Sequence, residues 1–85
     1  MEYIIVAFRS RTHTIGFSEY LNKFHIYNEI VSTPKEAGVG CGLSVKISVD
    51  RFAVCKQALG KKGYNSFAGF FIVKNYANYR VVKSI

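Results

Sequence analysis

Proline occurs once in these 85 residues, cysteine and histidine twice each, and acidic residues only five times. Two cysteines, Cys41 and Cys55, are too few for a disulfide scaffold, and a reducing cytoplasm disfavours a bridge between them. Two histidines, with no C-x-x-C and no H-x-x-x-H spacing, do not make a closed tetrahedral zinc site. No metal and no cofactor are expected. No apolar run approaches the ~18–20 residues of a membrane span, and the N-terminus lacks a signal peptide's basic-then-apolar order. The expected location is the cytoplasm, without membrane contact. The scarcity of proline beside 49% hydrophobic and 15% aromatic residues excludes disorder as the dominant state.

What is present is one short domain, residues 1–85, because chains divide at roughly 100–200 residues per domain. Such a chain buries only about 60–65% of its unfolded surface, so its core has to be dense. Twelve Lys and Arg against five Asp and Glu leave a net charge of +7. A basic surface attracts polyanions over several kT, which suits nucleic acid or another acidic partner. The charge is nevertheless scattered. Lys61-Lys62 is the one adjacent pair, and Arg9 and Arg11 sit two apart, a pattern that also fits a merely soluble basic surface.

The run Tyr3–Phe8 (YIIVAF) is apolar on both faces and suits a central strand. Ser10 or Thr12 can then cap a helix to about His25, with Phe17, Tyr20, Leu21 and Phe24 on its buried face. Ile26–Thr33 reads as a second strand stopped by Pro34, followed by the glycine-rich loop 35–42 (KEAGVGCG). Leu43, Val45, Ile47 and Val49 alternate with Ser44, Lys46 and Ser48, as a strand with one buried face demands. Asp50 suits the N-cap of a second helix over 51–60, with Phe52, Cys55 and Leu59 on one stripe and Gly60 near its end. Ala68–Lys74 is a fourth strand, and Tyr79–Lys83 reads as a short fifth.

The order β-α-β-β-α-β, with a short C-terminal addition, predicts an α/β (α+β) sandwich of ferredoxin-like type with both helices on one face. If strand 1 runs up, strand 2 also runs up. Loop 35–42 then shares an edge with Arg9, Ser10, Arg11, His13 and the start of helix 1.

Cys41 lies in Gly38-Val39-Gly40-Cys41-Gly42, where glycine flanks expose a side chain. Successive N–H groups there can form a nest for an anion, and nearby Arg or His lowers a thiol's pKa. The competing reading is an incidental thiol in a turn. Cys55 falls on a buried stripe, where a free cysteine behaves as a small hydrophobe. The intervening strand, about seven residues at ~3.3 Å each, puts the two cysteines at opposite ends of the sheet. Thr33-Pro34 ends strand 2 and aims the loop, with the Thr33 hydroxyl a candidate donor to a bound anion. His13 either pairs with Cys41 or is simply solvated. Lys62-Gly63-Tyr64 begins like the aromatic motif of an RNA-recognition strand, but Asn65 and Ser66 break it.

The segments EYIIVAFRSRTHTIGFSEYL and STPKEAGVGCGLSVKIS resemble the small bacterial proteins grouped as selenium/sulfur carrier-like. The resemblance rests on Thr33-Pro34, the Cys41-Gly42 pair and the alternating strand that follows. It implies that Cys41 holds sulfur or selenium as a persulfide or perselenide, with Thr33, Pro34 and Gly42 as the motif residues beside it. Gly40, Arg9, Ser10 and His13 join them as loop and anion support by topology. A carrier implies donor and acceptor proteins as partners, for which +7 suits acidic surfaces. It is an accessory protein more than a stand-alone enzyme. The alternative is a basic binding module, reading RNA or a protein through its sheet. The open sheet face and the aromatics Phe70, Phe71, Tyr76 and Tyr79 offer a surface for a partner or a homodimer.

Overall fold

Strand β1 (Glu2–Phe8) is buried on both faces. Ile4, Val6 and Phe8 enter one apolar cluster with the helices, while Ile5 and Ala7 enter a second cluster on the opposite face. β1 pairs antiparallel with β3 (Leu43–Ile47) on one side and β4 (Phe67–Asn75) on the other. β2 (Glu29–Ser32) pairs outside β3, and β5 (Arg80–Ser84) outside β4. The five-stranded antiparallel sheet therefore runs β2-β3-β1-β4-β5. Helices α1 (Arg11–Lys23) and α2 (Phe52–Lys62) complete an α+β architecture. Neither helix is long and apolar enough to cross a membrane. The computed structural model describes residues 1–85.

α1 begins at Ser10, whose side chain accepts a hydrogen bond from the His13 N–H at 3.2 Å. Its buried residues Thr14, Phe17, Ser18 and Leu21 keep the i, i+3, i+4, i+7 spacing of one core-facing stripe. Phe24, expected on that stripe, is instead 59% exposed, because the chain leaves the helix there. His25 takes a φ of 58°, and the N–H groups of His25 and Ile26 donate to the carbonyls of Asn22 and Leu21. This is a Schellman closure. It carries Ile26 back into the core beside Leu21, so β2 starts at Glu29 and not at Ile26.

α2 departs from expectation at both ends. Asp50 lies in a 3-10 turn (Val49–Arg51) and accepts a hydrogen bond from the Ser48 hydroxyl, while Arg51 occupies the N-cap without a side-chain bond. Gly60 is internal, and the helix ends at Gly63, in the left-handed conformation at φ 61°. Phe52, Cys55 and Leu59 do face the core, with Cys55 fully buried.

The sheet face away from the helices is not bare. After β2 the chain passes the buried Pro34 and a 3-10 turn at Lys35–Ala37. Ala37 and Val39 then pack against the cluster of Ile5, Ala7, Phe71 and Val73. Ser44, expected to point outward, is fully buried on this side. Phe70 and Phe71 are core residues on opposite faces and cannot line a seam. Tyr76 and Tyr79 stay exposed and stack on each other at 4.8 Å between β4 and β5.

Phe8 is the centre of the aromatic packing, with ring centroids 5.6 Å from Phe17, 5.4 Å from Tyr64 and 6.1 Å from Phe67. Phe8→Ala is expected to cost about 3–5 kcal/mol in urea unfolding. Phe24→Ala, at an exposed site, should change stability by no more than about 0.5 kcal/mol. Similar losses at the two positions would contradict this packing.

Candidate functional site

The glycine-rich loop is tied down at its neck and near its tip. At the neck the Thr33 N–H donates to the Gly42 carbonyl at 2.9 Å, and the Thr33 and Ser44 hydroxyls share a hydrogen bond of 2.7 Å. Near the tip the Cys41 N–H donates to the Phe8 carbonyl at 3.0 Å. Gly40 makes that approach possible. Its φ of +99° disfavours other residues, and an added Cβ would stand 3.2 Å from the Phe8 oxygen. Cys41 thus sits at the end of β1, against the first turns of α1.

The Cys41 sulfur lies 3.7 Å from Thr14 Oγ1 and 3.6 Å from the Leu43 carbonyl oxygen. Thr14 is fully buried and donates its own hydroxyl hydrogen to the Ser10 carbonyl at 3.0 Å. The thiol hydrogen is therefore the one available for the Thr14 or Leu43 oxygen, and it can serve only one at a time. Were the sulfur an anion, the Thr14 hydroxyl could rotate to donate to it instead.

The other expected site residues are distributed around this centre. Ser10 caps α1, and Arg9 donates its backbone N–H to the Ser66 carbonyl at 2.7 Å. The side chains of Arg9 and Arg11 are exposed. His13 does not pair with Cys41. Its Nδ1 is 2.5 Å from the Ser66 hydroxyl, and its ring lies 4.9 Å from that of Tyr64. Burial pushes the Tyr64 phenol up from its ordinary value, with Tyr20 and Glu19 adding to the effect. The Cys41 N–H, expected in an anion nest, is spent on the Phe8 carbonyl.

Thr33, Pro34, Gly40 and Gly42 line a shallow cleft of about 290 Å³ with Lys35, Gly38 and Val39. Cys41 does not line it. Its sulfur is turned towards α1.

Sequence reasoning missed Thr14, Ser44 and the far anchor of the loop. That anchor is Glu36, held by Arg80 of β5 through two parallel bonds, Nε to Oε2 at 2.8 Å and Nη2 to Oε1 at 2.9 Å. Such a bidentate pair fixes orientation better than a single contact, although exposure keeps its energy small. The Arg80 bonds hold the Glu36 carboxyl down at about 2, from an ordinary 4.5.

Two outcomes follow from these environments. Because the folded Glu36 carboxyl titrates below its unfolded counterpart, the clip stabilises the fold above pH 4.5 and fades as pH falls towards 2. Urea unfolding of wild type and Glu36→Gln should differ most at neutral pH and converge across that window. A gap that stays constant down to pH 2 would show that the clip does not act through the carboxylate. Burial raises the Cys55 thiol from 9.0 to about 11, which cuts its thiolate fraction roughly a hundredfold near neutral pH. Iodoacetamide should therefore label Cys55 at least that much more slowly in the native protein than in urea, while Cys41 is labelled without unfolding. Rapid native labelling of Cys55 would contradict its burial.

A family model described as "Putative Se/S carrier protein-like" matches residues 2–67. The match runs from β1 through the Cys41 loop to the first residue of β4. Arg80, the partner of Glu36, lies beyond it. No curated protein and no solved structure matches the chain. By the extent of the family match, the chain belongs to the Se/S carrier protein-like family.

Proposed function

We propose that the protein carries sulfur or selenium as a persulfide or perselenide on Cys41, passing it between enzymes of a reducing cytoplasm. The observation that carries this reading, beside the family match, is the division between the two thiols. Cys55 is sealed in the core. Cys41 is only partly buried, in a loop anchored by backbone bonds.

Loading is an exchange reaction. The Cys41 thiolate attacks the terminal sulfur of a donor's persulfide, a new S–S bond forms, and the donor's own S–S bond breaks to release it as a thiolate. An acceptor thiolate removes the sulfur by the same exchange, so the cycle needs no net oxidant or reductant. Selenium follows the same steps. The N-terminal end of α1 favours negative charge, and the Thr14 hydroxyl supplies a donor beside the sulfur. Thr33, Pro34, Gly40 and Gly42 hold the loop, while Arg9, Ser10 and His13 form its edge. In this reading the chain is a carrier rather than a stand-alone enzyme, and its partners are donor and acceptor proteins. On the same footing, the order β2-β3-β1-β4 with both helices packed into one cluster supports a ferredoxin-like fold extended by β5.

Incubation with a cysteine desulfurase and cysteine, followed by intact-mass spectrometry, tests the reading. Wild type and Cys55→Ser should gain one sulfur atom and Cys41→Ser none. Cys55→Ser should also lose about 1–3 kcal/mol of stability from burying a hydroxyl. An adduct that persists in Cys41→Ser, or no adduct on the folded and reduced wild type, overturns the assignment.

A further inference from the structure

The positive charge is not spread evenly over the folded surface. α1, α2 and the 3-10 turn leading into α2 carry Arg11, Lys23, Arg51, Lys56, Lys61 and Lys62 against Glu19 and Asp50. That is half of the twelve cations and two of the five acids, on two helices and one turn. Both ion pairs, Lys46–Glu29 and Arg80–Glu36, lie elsewhere, on the sheet and its loop. The helix layer is therefore where the excess of positive charge is concentrated and unneutralised.

Within that layer the two helices leave an apolar groove of about 290 Å³. Tyr20 and Phe24 form one wall and Val54 and Ala58 the other, while Arg51 and Lys61 supply its charged lining. No acid lines it. Phe24 is 59% and Val54 39% exposed, so apolar surface from both helices remains open to water. Lys62 lies over the Tyr20 ring at 5.0 Å and bridges the helices beside the groove. From Arg51 to Lys61 the lining extends about 15 Å along α2, nearly three turns of a helix laid against it.

We infer that this groove is a docking site for an acidic amphipathic segment of a partner protein. Apolar side chains of the segment fill the space between Phe24 and Val54, and its carboxylates meet Arg51 and Lys61, in the manner of a helix laid in a groove. A second copy of this chain does not suit the site, since it would bring the same cations against themselves. Five of the eight lining residues are apolar or aromatic and Gln57 is the one amide among them, which favours the apolar face of a peptide over base edges that need hydrogen-bonding partners. The inference does not depend on the chemistry of Cys41, and it is tested with no sulfur or selenium present.

The probe is a fluorescein-labelled peptide of about 14 residues with leucines at i, i+3, i+4 and i+7 and glutamates between them. Binding is read by anisotropy, and its location by amide shift mapping, on the full chain. The expected result is saturable binding with shifts at Tyr20, Phe24, Val54 and Ala58, unchanged in Cys41→Ser. Val54→Glu and Lys61→Glu should each weaken it at least about tenfold, while Lys83→Glu on β5 should leave it unaltered. Circular dichroism of each variant guards against misfolding. Absence of binding overturns the proposal. So does equal binding of a glutamate peptide in which serine replaces every leucine, which would show diffuse charge alone. A single-stranded oligouridine that binds through Lys61 but ignores Val54→Glu, with the leucine peptide inert, would assign the face to nucleic acid instead.

Discussion

The last carbonyl of β1 holds the loop on which the site depends. Phe8 O accepts the Cys41 N–H, while the Phe8 ring packs among Phe17, Tyr64 and Phe67 under the helices. One residue thus joins the loop, the sheet and the helix layer. The β1–β4 register shifts between Ala7 and Phe8, the local irregularity by which a strand end is re-aimed. Gly40 is the counterpart on the loop side, since a side chain there would press on the Phe8 oxygen. The position of Cys41 is consequently set by its backbone. Its sulfur rests against the buried Thr14 hydroxyl in the first turns of α1.

Thr14 and Ser44 show how polar groups are kept buried around that backbone. Both are fully buried, and a buried hydroxyl without a partner would cost more than a bond made elsewhere returns. Thr14 is satisfied by the Ser10 carbonyl and the Cys41 sulfur, and Ser44 by Thr33. These two pairs stand on either side of the loop's return into β3. The Thr33 hydroxyl therefore also ties the neck of the loop to β3. Pro34 then enters the opposite face of the sheet, and the Glu36–Arg80 clip holds the far end of the loop against β5. A loop pinned at its neck, its tip and its far end is a rigid mount for one thiol.

Much of this was legible in the residues. The two-sided apolar run of β1, the Ser10 cap, the strand character of β3 and the Phe52-Cys55-Leu59 stripe all follow from periodicity and local chemistry, although Ser44 is buried and Val49 lies exposed beyond β3. So does the meeting of the Cys41 loop with the start of α1, which follows from strand direction. What escaped was set by tertiary contact. His25 occupies a left-handed position usually signalled by glycine, so nothing in the sequence marks the end of α1, and Ile26 has the apolar, β-branched character of a strand residue. Thr14 had a signal: with Phe17, Ser18 and Leu21 it completes the buried helical spacing, and a hydroxyl on that stripe needs a partner. The Glu36–Arg80 pair joins residues 44 apart, and nothing local announces it. Loop coverage of the second sheet face likewise rests on residues distant in sequence, with Ala37 and Val39 packed against Ile5, Ala7, Phe71 and Val73.

Cys41 and the groove occupy different parts of the molecule. Thr14, which touches the sulfur, and Phe24, which walls the groove, are ten positions apart on and just beyond α1, or about 15 Å along a helix. A partner seated between α1 and α2 would therefore leave the thiol uncovered and would have to reach along α1 to meet it. Under the function proposed above, the separation suits a chain that serves more than one enzyme. Affinity can reside in a surface feature that several acidic partners share, while each presents its own reacting atom at the loop. Since such charge complementarity acts mainly on the rate of encounter, docking of this kind can be fast without being tight. A carrier that held its donor for long would be slow to reach its acceptor.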